Sequence, residues 1–425
     1  MSYFLLLDIG GTDVKTSIYR GPGGGISPVF RSPTSKFSQI KQHRREIDPK
    51  IYLKQIWSIL YAHLEANRGE KCQGILISGQ MGGWVGTDLR NNPLTNLISW
   101  QDQYSKNLND KQESFFSTIQ QTLDPEWFEN TGRELRYGLP LISYAARKIN
   151  EELRVNRFHT LLTWTASQLS NEYLFLSQET DFASSGLFNL RTKSIDVFNF
   201  KALFSSVEFP EVTKSIRATG YSNDFNCPVF VAVGDQQASL LGAGLSENRI
   251  VINIGTGGQI SCRLNEIIST KFQLRPYFFD SYLETKTHLT AGRVISEIVD
   301  VVNAYLGKSI SILDLLSHKG DFKNDISLET NDTESLKDQA LSLLKLGYTV
   351  EELMSILTNT IVGEYMNVLE KFTNQNIDTV VFAGRVGQHF YKLQNVIKSE
   401  MKYQVNIAKS TETTINGLSK LTELL

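Results

Sequence analysis

The sequence predicts an α/β protein in which two halves repeat one design. Two stretches carry the repeat: Leu7-Asp8-Ile9-Gly10-Gly11-Thr12-Asp13-Val14-Lys15 and Ile252-Asn253-Ile254-Gly255-Thr256-Gly257-Gly258-Gln259-Ile260. Each is an apolar strand, a polar residue, a Gly/Thr turn and a second strand. Gly-rich hairpins are common, but the placement of these two at the head of each half favours duplication of one unit. Short apolar runs alternating with segments of helical period supply the second observation. The third is length: 425 residues, at roughly 150 per domain, suit two to three domains.

Taken in order, Tyr3 to Leu7 is an apolar run broken by Gly10 and Gly11, and Val14, Thr16 and Ile18 then alternate with polar neighbours. Gly21 to Gly25 makes a further turn. Ile51, Leu53, Ile56, Trp57, Leu60 and Leu64 mark a helix over 51–67. Gly74 to Ser78 reads as a buried strand entering the loop Gly79-Gln80-Met81-Gly82-Gly83-Trp84. The segment 105–205 reads as mostly helical and polar-faced. From Pro228 the run Val229 to Val233 ends at Gly234-Asp235, and Ala238, Ser239, Gly242, Ala243 and Gly244 suit a helix packed close against a sheet. Helices are expected at 296–306 and 336–346, and on the face Leu353, Ile356, Leu357, Ile361, Tyr365, Met366, Leu369. A strand at 378–383 leads into Gly384-Arg385-Val386-Gly387, and 317–335 reads as surface loop.

Forty-three Lys and Arg against 45 Asp and Glu give a formal charge of −2, without the basic excess of a nucleic-acid binder. Hydrophobic residues at 41% are enough for real cores. Cys72, Cys227 and Cys262 form no CxxC pair and fit a reducing compartment. The N-terminal apolar run is too short for a signal peptide, and no stretch approaches the ~20 apolar residues that span a bilayer. A soluble, cytoplasmic protein is expected, with no nucleic-acid or membrane partner.

Chemistry concentrates at the turns. Successive amides of a Gly-rich turn form an anion-binding concavity. Thr12 and Thr256 add hydroxyls, and Lys15 adds a charge. Either hairpin alone reads more simply as a turn without ligand; the pair, each beside a carboxylate or carboxamide, favours phosphate. Neither is a Walker loop or a GxGxxG loop opening a helix. Asp8 ends a buried strand, where a water-mediated Mg²⁺ contact is favoured over a turn-forming role. Asp235 is either an N-cap for the helix that follows or a general base toward a sugar hydroxyl, and position alone leaves both open. The groups at Gln80, Trp100, Gln101 and Asp102 could hold a polyol, although each tryptophan taken singly reads as core.

In this order the segments resemble the FGGY carbohydrate kinases, a branch of the actin, hexokinase and heat-shock chaperone superfamily, from Leu6 to about Leu421. Asp8 to Lys15 is similar to the family's first phosphate motif. Ser78 to Gly83 and Ile98 to Asp102 resemble its ketose-binding segments, and Thr180 to Ser184 a further shared segment. Gly234-Asp235-Gln236-Gln237-Ala238-Ser239 resembles the block holding the catalytic Asp, Asn253 to Thr256 the second phosphate motif, and Ala383 to Val386 the adenosine loop. The Gly-Asp-Gln-Gln-Ala-Ser block and Arg275-Pro276-Tyr277-Phe278 look most like sedoheptulokinases, with xylulokinases second. Gly11 stands where the family has Thr, Gly82 where it has His, and Tyr104 where it has Arg.

The resemblance implies two RNase-H-like (actin/hexokinase-type) domains, 1–225 and 226–425, around a central cleft, and ATP-dependent phosphorylation of a ketose hydroxyl. It implies Asp235 as catalytic base and magnesium contacts with Asp8 and Asp235. Phosphate or nucleotide would meet Gly10, Gly11, Thr12, Lys15, Gly255, Thr256, Gly257, Gly384 and Arg385. Sugar would meet Gln80, Met81, Gly82, Trp100, Asp102 and Gln236. ATP and Mg²⁺ are the expected cofactors and a small-molecule sugar the partner, with a homodimer left open. A pentulose kinase of the xylulokinase or ribulokinase type, a catalytically impaired sugar sensor and a nucleotide switch are the alternatives.

Overall fold

The computed structural model describes residues 2–37, 43–151, 153–307, 309–312, 316, 328, 333–373 and 376–425. The chain divides into two compact units. One comprises Met1–Gly242, Leu274–Tyr282 and Glu412–Leu425; the other comprises Ala243–Gln273 and Leu283–Thr411. The boundary expected at 225 falls inside the first unit, because Cys227–Phe230 and Val233–Gly234 both pair in parallel with Lys71–Gly79.

In the first unit Ser2–Ile9 lies between two neighbours, antiparallel to Asp13–Tyr19 and parallel to Lys71–Gly79. Phe30–Pro33 flanks the hairpin on one side. On the other, the sheet continues through Cys227–Phe230, Ala218–Ser222 and Glu172–Tyr173. Leu5, Leu6, Leu7, Ile75, Leu76 and Ile77 are all buried. Both faces of these strands are covered, which is why they read as continuous apolar runs and not as alternations. A second sheet orders Glu46–Ile47, Leu97–Ile98, Trp84–Thr87 and Arg157–Thr160.

The helix Pro49–Ala66 starts at Asp48, whose side chain accepts the Lys50 amide, with Pro49 in the first turn. Its buried face is Pro49, Tyr52, Ile56, Ile59, Leu60 and His63. Ile51 is exposed, so the inward stripe is rotated from the one read in the sequence. The polar His63 is accommodated because its Nε2 lies 2.6 Å from Thr16 Oγ1.

Two expectations are corrected here. The stretch 105–205 mixes helices with short strands, and Pro140–Asn150 and Leu161–Gln168 bury most of their residues. Their hydroxyls are satisfied locally, as where Thr165 Oγ1 donates to the Leu161 carbonyl at 2.8 Å. The small residues after Asp235 meet a helix, not a sheet. A Cβ on Gly242 would fall 1.8 Å from the Thr413 carbonyl oxygen, and one on Gly417 would fall 1.8 Å from that of Ala238. Asp235–Ala243 and the C-terminal helix Thr413–Leu421 therefore touch backbone to backbone.

In the second unit Arg249–Ile254 runs antiparallel to Gly258–Leu264 and parallel to Thr379–Ala383, which pairs in parallel with Gln404–Ile407. Ser281–Leu289 flanks the hairpin. A hairpin with a third strand on its outer side, followed by two parallel strands, is the order of the first unit as well. The duplicated design and the RNase-H-like topology both hold. The expected helices are Gly292–Leu306, Thr333–Lys345 and Val350–Leu369, the last opened by a capping box between Thr349 and Glu352. The surface loop expected at 317–335 lies outside the described residues, apart from Leu328 and the start of the second of these helices.

Candidate active site

Two carboxylates emerge at the carboxyl ends of parallel strands in the first unit, where ligands of open α/β sheets gather. Asp8 is level with Ser78, and Gly234 is level with Gly79. Asp8 and Asp235 thus flank the end of one strand, their backbones about 10 Å apart by sheet spacing. Asp8 is buried, and its Oδ1 has no hydrogen-bond partner among the described residues. Burial pushes its carboxyl up to about 7 against the pull of Lys15, with Asp235 and Glu412 adding to the rise. Asp235 is half-buried. Desolvation raises it to about 6, opposed by the Gln236 amide and the Arg275 charge. Its Oδ1 accepts the Gln236 amide at 2.7 Å, so it serves the helix start while its carboxyl is held basic.

Among the described residues no three His, Cys, Asp or Glu side chains converge as a metal cage. A buried, orphaned carboxylate oxygen, with a second carboxylate across the same strand end, instead suits a hard cation that keeps most of its water, which is the habit of Mg²⁺. Lys15 lies between acids, 3.9 Å from Asp8 Oδ2 and 3.2 Å from Glu412 Oε2. Arg31 also pairs with Glu412.

The two Gly/Thr turns share one internal economy. Gly10 donates its amide to the Asp13 carbonyl, and Gly255 donates to that of Gly257, both at 3.0 Å. The first glycine amide of each turn is therefore spent closing it, which corrects Gly10 and Gly255 as amide donors to phosphate. The Gly11, Thr12, Thr256 and Gly257 amides have no hydrogen bond among the described residues. Thr34 braces the first turn, its amide donating to the Thr12 carbonyl at 2.8 Å and its hydroxyl to the Gly10 carbonyl at 2.7 Å. The second turn is backed by Gly384, whose φ of 75° and contact with Asn253 and Ile254 leave no room for a Cβ. Arg385 follows, exposed at the start of a short helix.

The loop after Lys71–Gly79 stands beside Asp235. Gln80 donates its amide to the Ile9 carbonyl at 2.8 Å, and its buried Nε2 has no partner among the described residues. Met81 packs on Gly234, where a Cβ would fall 2.4 Å from its sulfur. Gly82 has φ 81° and donates its amide to Ser184 Oγ at 3.1 Å. Trp100 is 42% exposed, so it is a surface ring and not a core one. Gln236 is buried, its Oε1 accepting from Arg275 Nη1.

Asp102 departs from expectation. It is fully buried, and both oxygens are engaged: Oδ1 by Arg147 Nη1 at 2.9 Å and the Tyr104 amide at 3.1 Å, Oδ2 by Arg147 Nη2 and the Arg45 amide, each at 2.9 Å. It anchors the loop and is removed from the sugar-contacting set. Arg147 also bonds Glu46 at 2.9 Å and lies over the Tyr104 ring, as does Arg44. A guanidinium from the helix Pro140–Asn150 thus serves Asp102 from outside the loop, while Tyr104 supplies a stacking face.

Several positioning residues were not read from sequence. Thr180 accepts the Gly234 amide at 3.2 Å and pins the strand end before Asp235. Asp181, the next residue, is buried and raised to about 6 by desolvation despite bonds from Thr160, Thr163 and Ser177. Gln237 Nε2 donates to the Pro276 carbonyl at 3.2 Å. Thr180 and Asp181 carried a motif signal; Arg147 and Glu412 carried none, being remote in sequence from what they touch.

The N-terminal-domain model of the FGGY family of carbohydrate kinases matches residues 3–242. Among solved structures, a ligand-bound xylulose kinase from Lactobacillus acidophilus is 15% identical, with 100% of this chain and 91% of that chain covered at a TM-score of 0.75. A gluconate kinase from the same organism is 14% identical, covering 99% and 89% at 0.75. A Plasmodium falciparum glycerol kinase with ADP is 14% identical, covering 99% and 89% at 0.74. No curated protein matches the chain in sequence. The three structures differ in the substrate their names give, so the shared fold does not select one. Among the described residues no helix is long and apolar enough to cross a membrane.

Proposed function

Because the chain belongs to the FGGY family of carbohydrate kinases, we propose that it transfers the γ-phosphoryl group of ATP to a ketose hydroxyl, with Asp235 as the base. The single observation that carries this reading is Asp235 itself. Its carboxyl is held near 6 at a strand end, beside the orphaned carboxylate oxygen of Asp8 and the orphaned carboxamide nitrogen of Gln80. Such unsatisfied buried groups are costly unless a ligand meets them.

In this reading Gln80, Met81 and Trp100 receive the sugar, and Gln236 is set by Arg275. The substrate hydroxyl oxygen forms a bond to the γ-phosphorus as the bond to the β,γ-bridging oxygen breaks. Its proton passes to Asp235, and ADP leaves. Each Gly/Thr turn, considered within its own unit, offers free amides suited to a phosphate oxygen, Gly11 and Thr12 in one and Thr256 and Gly257 in the other. Asp8 and Asp235 would hold Mg²⁺, Asp8 through water. Bound there, Mg²⁺ supplies charge neutralisation on the phosphates. Little covalent work falls to the protein in so loose a transition state, and positioning and electrostatics dominate.

Heptulose or pentulose is the finer choice, and neither departure from the family favours the longer sugar: a Cβ at Gly82 would lie 3.1 Å from the Trp100 Cβ, and the buried Tyr104 ring is covered by Arg44 and Arg147. Asp235→Asn should lower kcat by about a thousandfold or more, in line with the loss of a general base plus its charge, while ATP still raises the melting temperature. Activity within a few-fold of the parent on a ketose panel would reduce Asp235 to a helix cap.

A further inference from the structure

The strand end that Asp8 and Asp235 flank carries a polar side chain of its own. Ser78 is fully buried in Lys71–Gly79, directly after the apolar run Ile75-Leu76-Ile77. Its Oγ has no hydrogen bond among the described residues. A buried hydroxyl without a partner is costly, so something must meet it.

Register puts Ser78 on the face of the carboxylates. Level neighbours on adjacent strands point to the same side of a sheet, and successive residues point to opposite sides. Ile9 and Gly79 are one level pair, and a Cβ on Gly79 would fall 2.9 Å from the Ile9 Cβ and 2.9 Å from Leu162 Cδ2. That face also carries Leu5, Leu7, Ile75 and Ile77, packed in one core with Tyr52, Ile56 and Leu161. Asp8 and Ser78, one residue back, therefore face the other way. Across this second face Lys15, Asp8, Ser78 and Val233 stand level on four neighbouring strands. Asp235 follows Val233 by two residues, just past its strand end.

Lys15 flanks Asp8 on one side and is 3.9 Å from Oδ2. On the other side stands Ser78, and the two orphaned atoms of this row are Asp8 Oδ1 and Ser78 Oγ. Adjacent strands lie about 4.8 Å apart, a spacing that one water can bridge with a hydrogen bond to each side. The same sheet offers a comparison. Ser222 Oγ is also buried without a hydrogen bond, but its level partner is Cys227. An orphaned hydroxyl alone is therefore not the signal. The signal at Ser78 is its place on the strand between the one that carries Asp8 and the one that leads into Asp235.

We propose that Ser78 is a positioning residue of the cation site, its hydroxyl and Asp8 Oδ1 sharing one water of a hydrated divalent ion. The inference rests on the kinase reading for the ion itself, whereas the pairing of Ser78 with Asp8 comes from register. Groups that hold a ligand's water in place typically change metal affinity tenfold or more when removed.

The full chain is titrated with Mn²⁺ alone as the probe for Mg²⁺, and free ion is read by electron paramagnetic resonance. Ser78→Ala should raise the Kd for Mn²⁺ about tenfold. The Mg²⁺ concentration giving half-maximal rate on a ketose panel should rise by a similar factor. The melting temperature of the metal-free chain and the affinity for ketose, measured by calorimetry without metal, should stay as in the parent. Ser222→Ala, which removes the other orphaned hydroxyl of the sheet, should leave the Kd for Mn²⁺ unchanged. Mn²⁺ binding that depends on Ser78, with no phosphoryl transfer to any ketose, upholds this inference and defeats the kinase reading. Phosphoryl transfer with the same Mg²⁺ dependence in parent and Ser78→Ala upholds the kinase reading and overturns this inference. An unchanged Kd with a lowered metal-free melting temperature makes the bridging water structural and overturns it too. So does equal weakening in Ser222→Ala, or a parent that binds no Mn²⁺.

Discussion

Gly82 and Gly11 both depart from the family pattern, and the backbone separates them. Gly82 has φ 81°, and a Cβ there would lie 3.1 Å from the Trp100 Cβ. Installing the family histidine therefore strains the loop. Gly82→His should lower stability by about 1–3 kcal/mol, read as a fall in melting temperature, with activity reduced on every sugar alike. An unshifted melting temperature would show that the loop adapts. Gly11 is the opposite case, since a Cβ there meets only Gln80 Oε1 at an ordinary 3.7 Å. Gly11→Thr should fold normally and lower the KM for ATP a few-fold by adding a hydroxyl donor; a raised KM at unchanged melting temperature would remove this turn from the phosphate site. The sequence exposed both substitutions, but φ is set by the surrounding loop and was not legible in it. The same holds for Asp102, whose position in a motif implied a sugar contact while its actual partners came from a helix some forty residues on.

At the scale of elements, periodicity was readable and polar partnership was not. The hairpins and the long helix Val350–Leu369 follow from local pattern. The stretch 105–205 misled because its hydroxyls look solvent-facing until their carbonyl partners are known. Two buried groups there invite measurement. Arg147 holds both Asp102 and Glu46, so Arg147→Met should cost about 3–5 kcal/mol by stranding buried charge. Adding Asp102→Asn should recover part of that in a double-mutant cycle by urea denaturation, and strict additivity would deny the coupling. His159 sits on the strand Arg157–Thr160 with neither ring nitrogen hydrogen-bonded among the described residues. Burial lowers it to about 3. The unfolded chain takes up this proton near 6.5 and the folded chain does not, so stability falls as pH drops from 6.5 toward 3. Each pH unit within that window removes up to about 1.4 kcal/mol. His159→Phe should flatten this limb between pH 7 and 5 without loss at pH 7; an unchanged acid slope would place its origin elsewhere.

For the whole molecule, the two-half design was legible because each half opens with a hairpin, and hairpins are local. The return of Leu274–Tyr282 and Glu412–Leu425 to the first unit was not, since nothing near those residues in sequence signals where they dock. Removing Glu412–Leu425 should unprotect the first unit. Hydrogen exchange is expected to rise in Ser2–Ile9 and Asp235–Ala243, with Lys15 losing Glu412 as a partner; unchanged protection of these segments would make the C-terminal helix an ornament. The backbone contact of Gly242 with Thr413, and of Ala238 with Gly417, also sets an order of birth. On the ribosome the helix bearing Asp235 emerges well before the helix that covers it. At ~5–20 residues per second the interval is on the order of ten to thirty seconds. For that time the nascent chain holds the helix bearing Asp235 with a glycine-lined backbone face still uncovered, and that face closes only once the helix Thr413–Leu421 has been made.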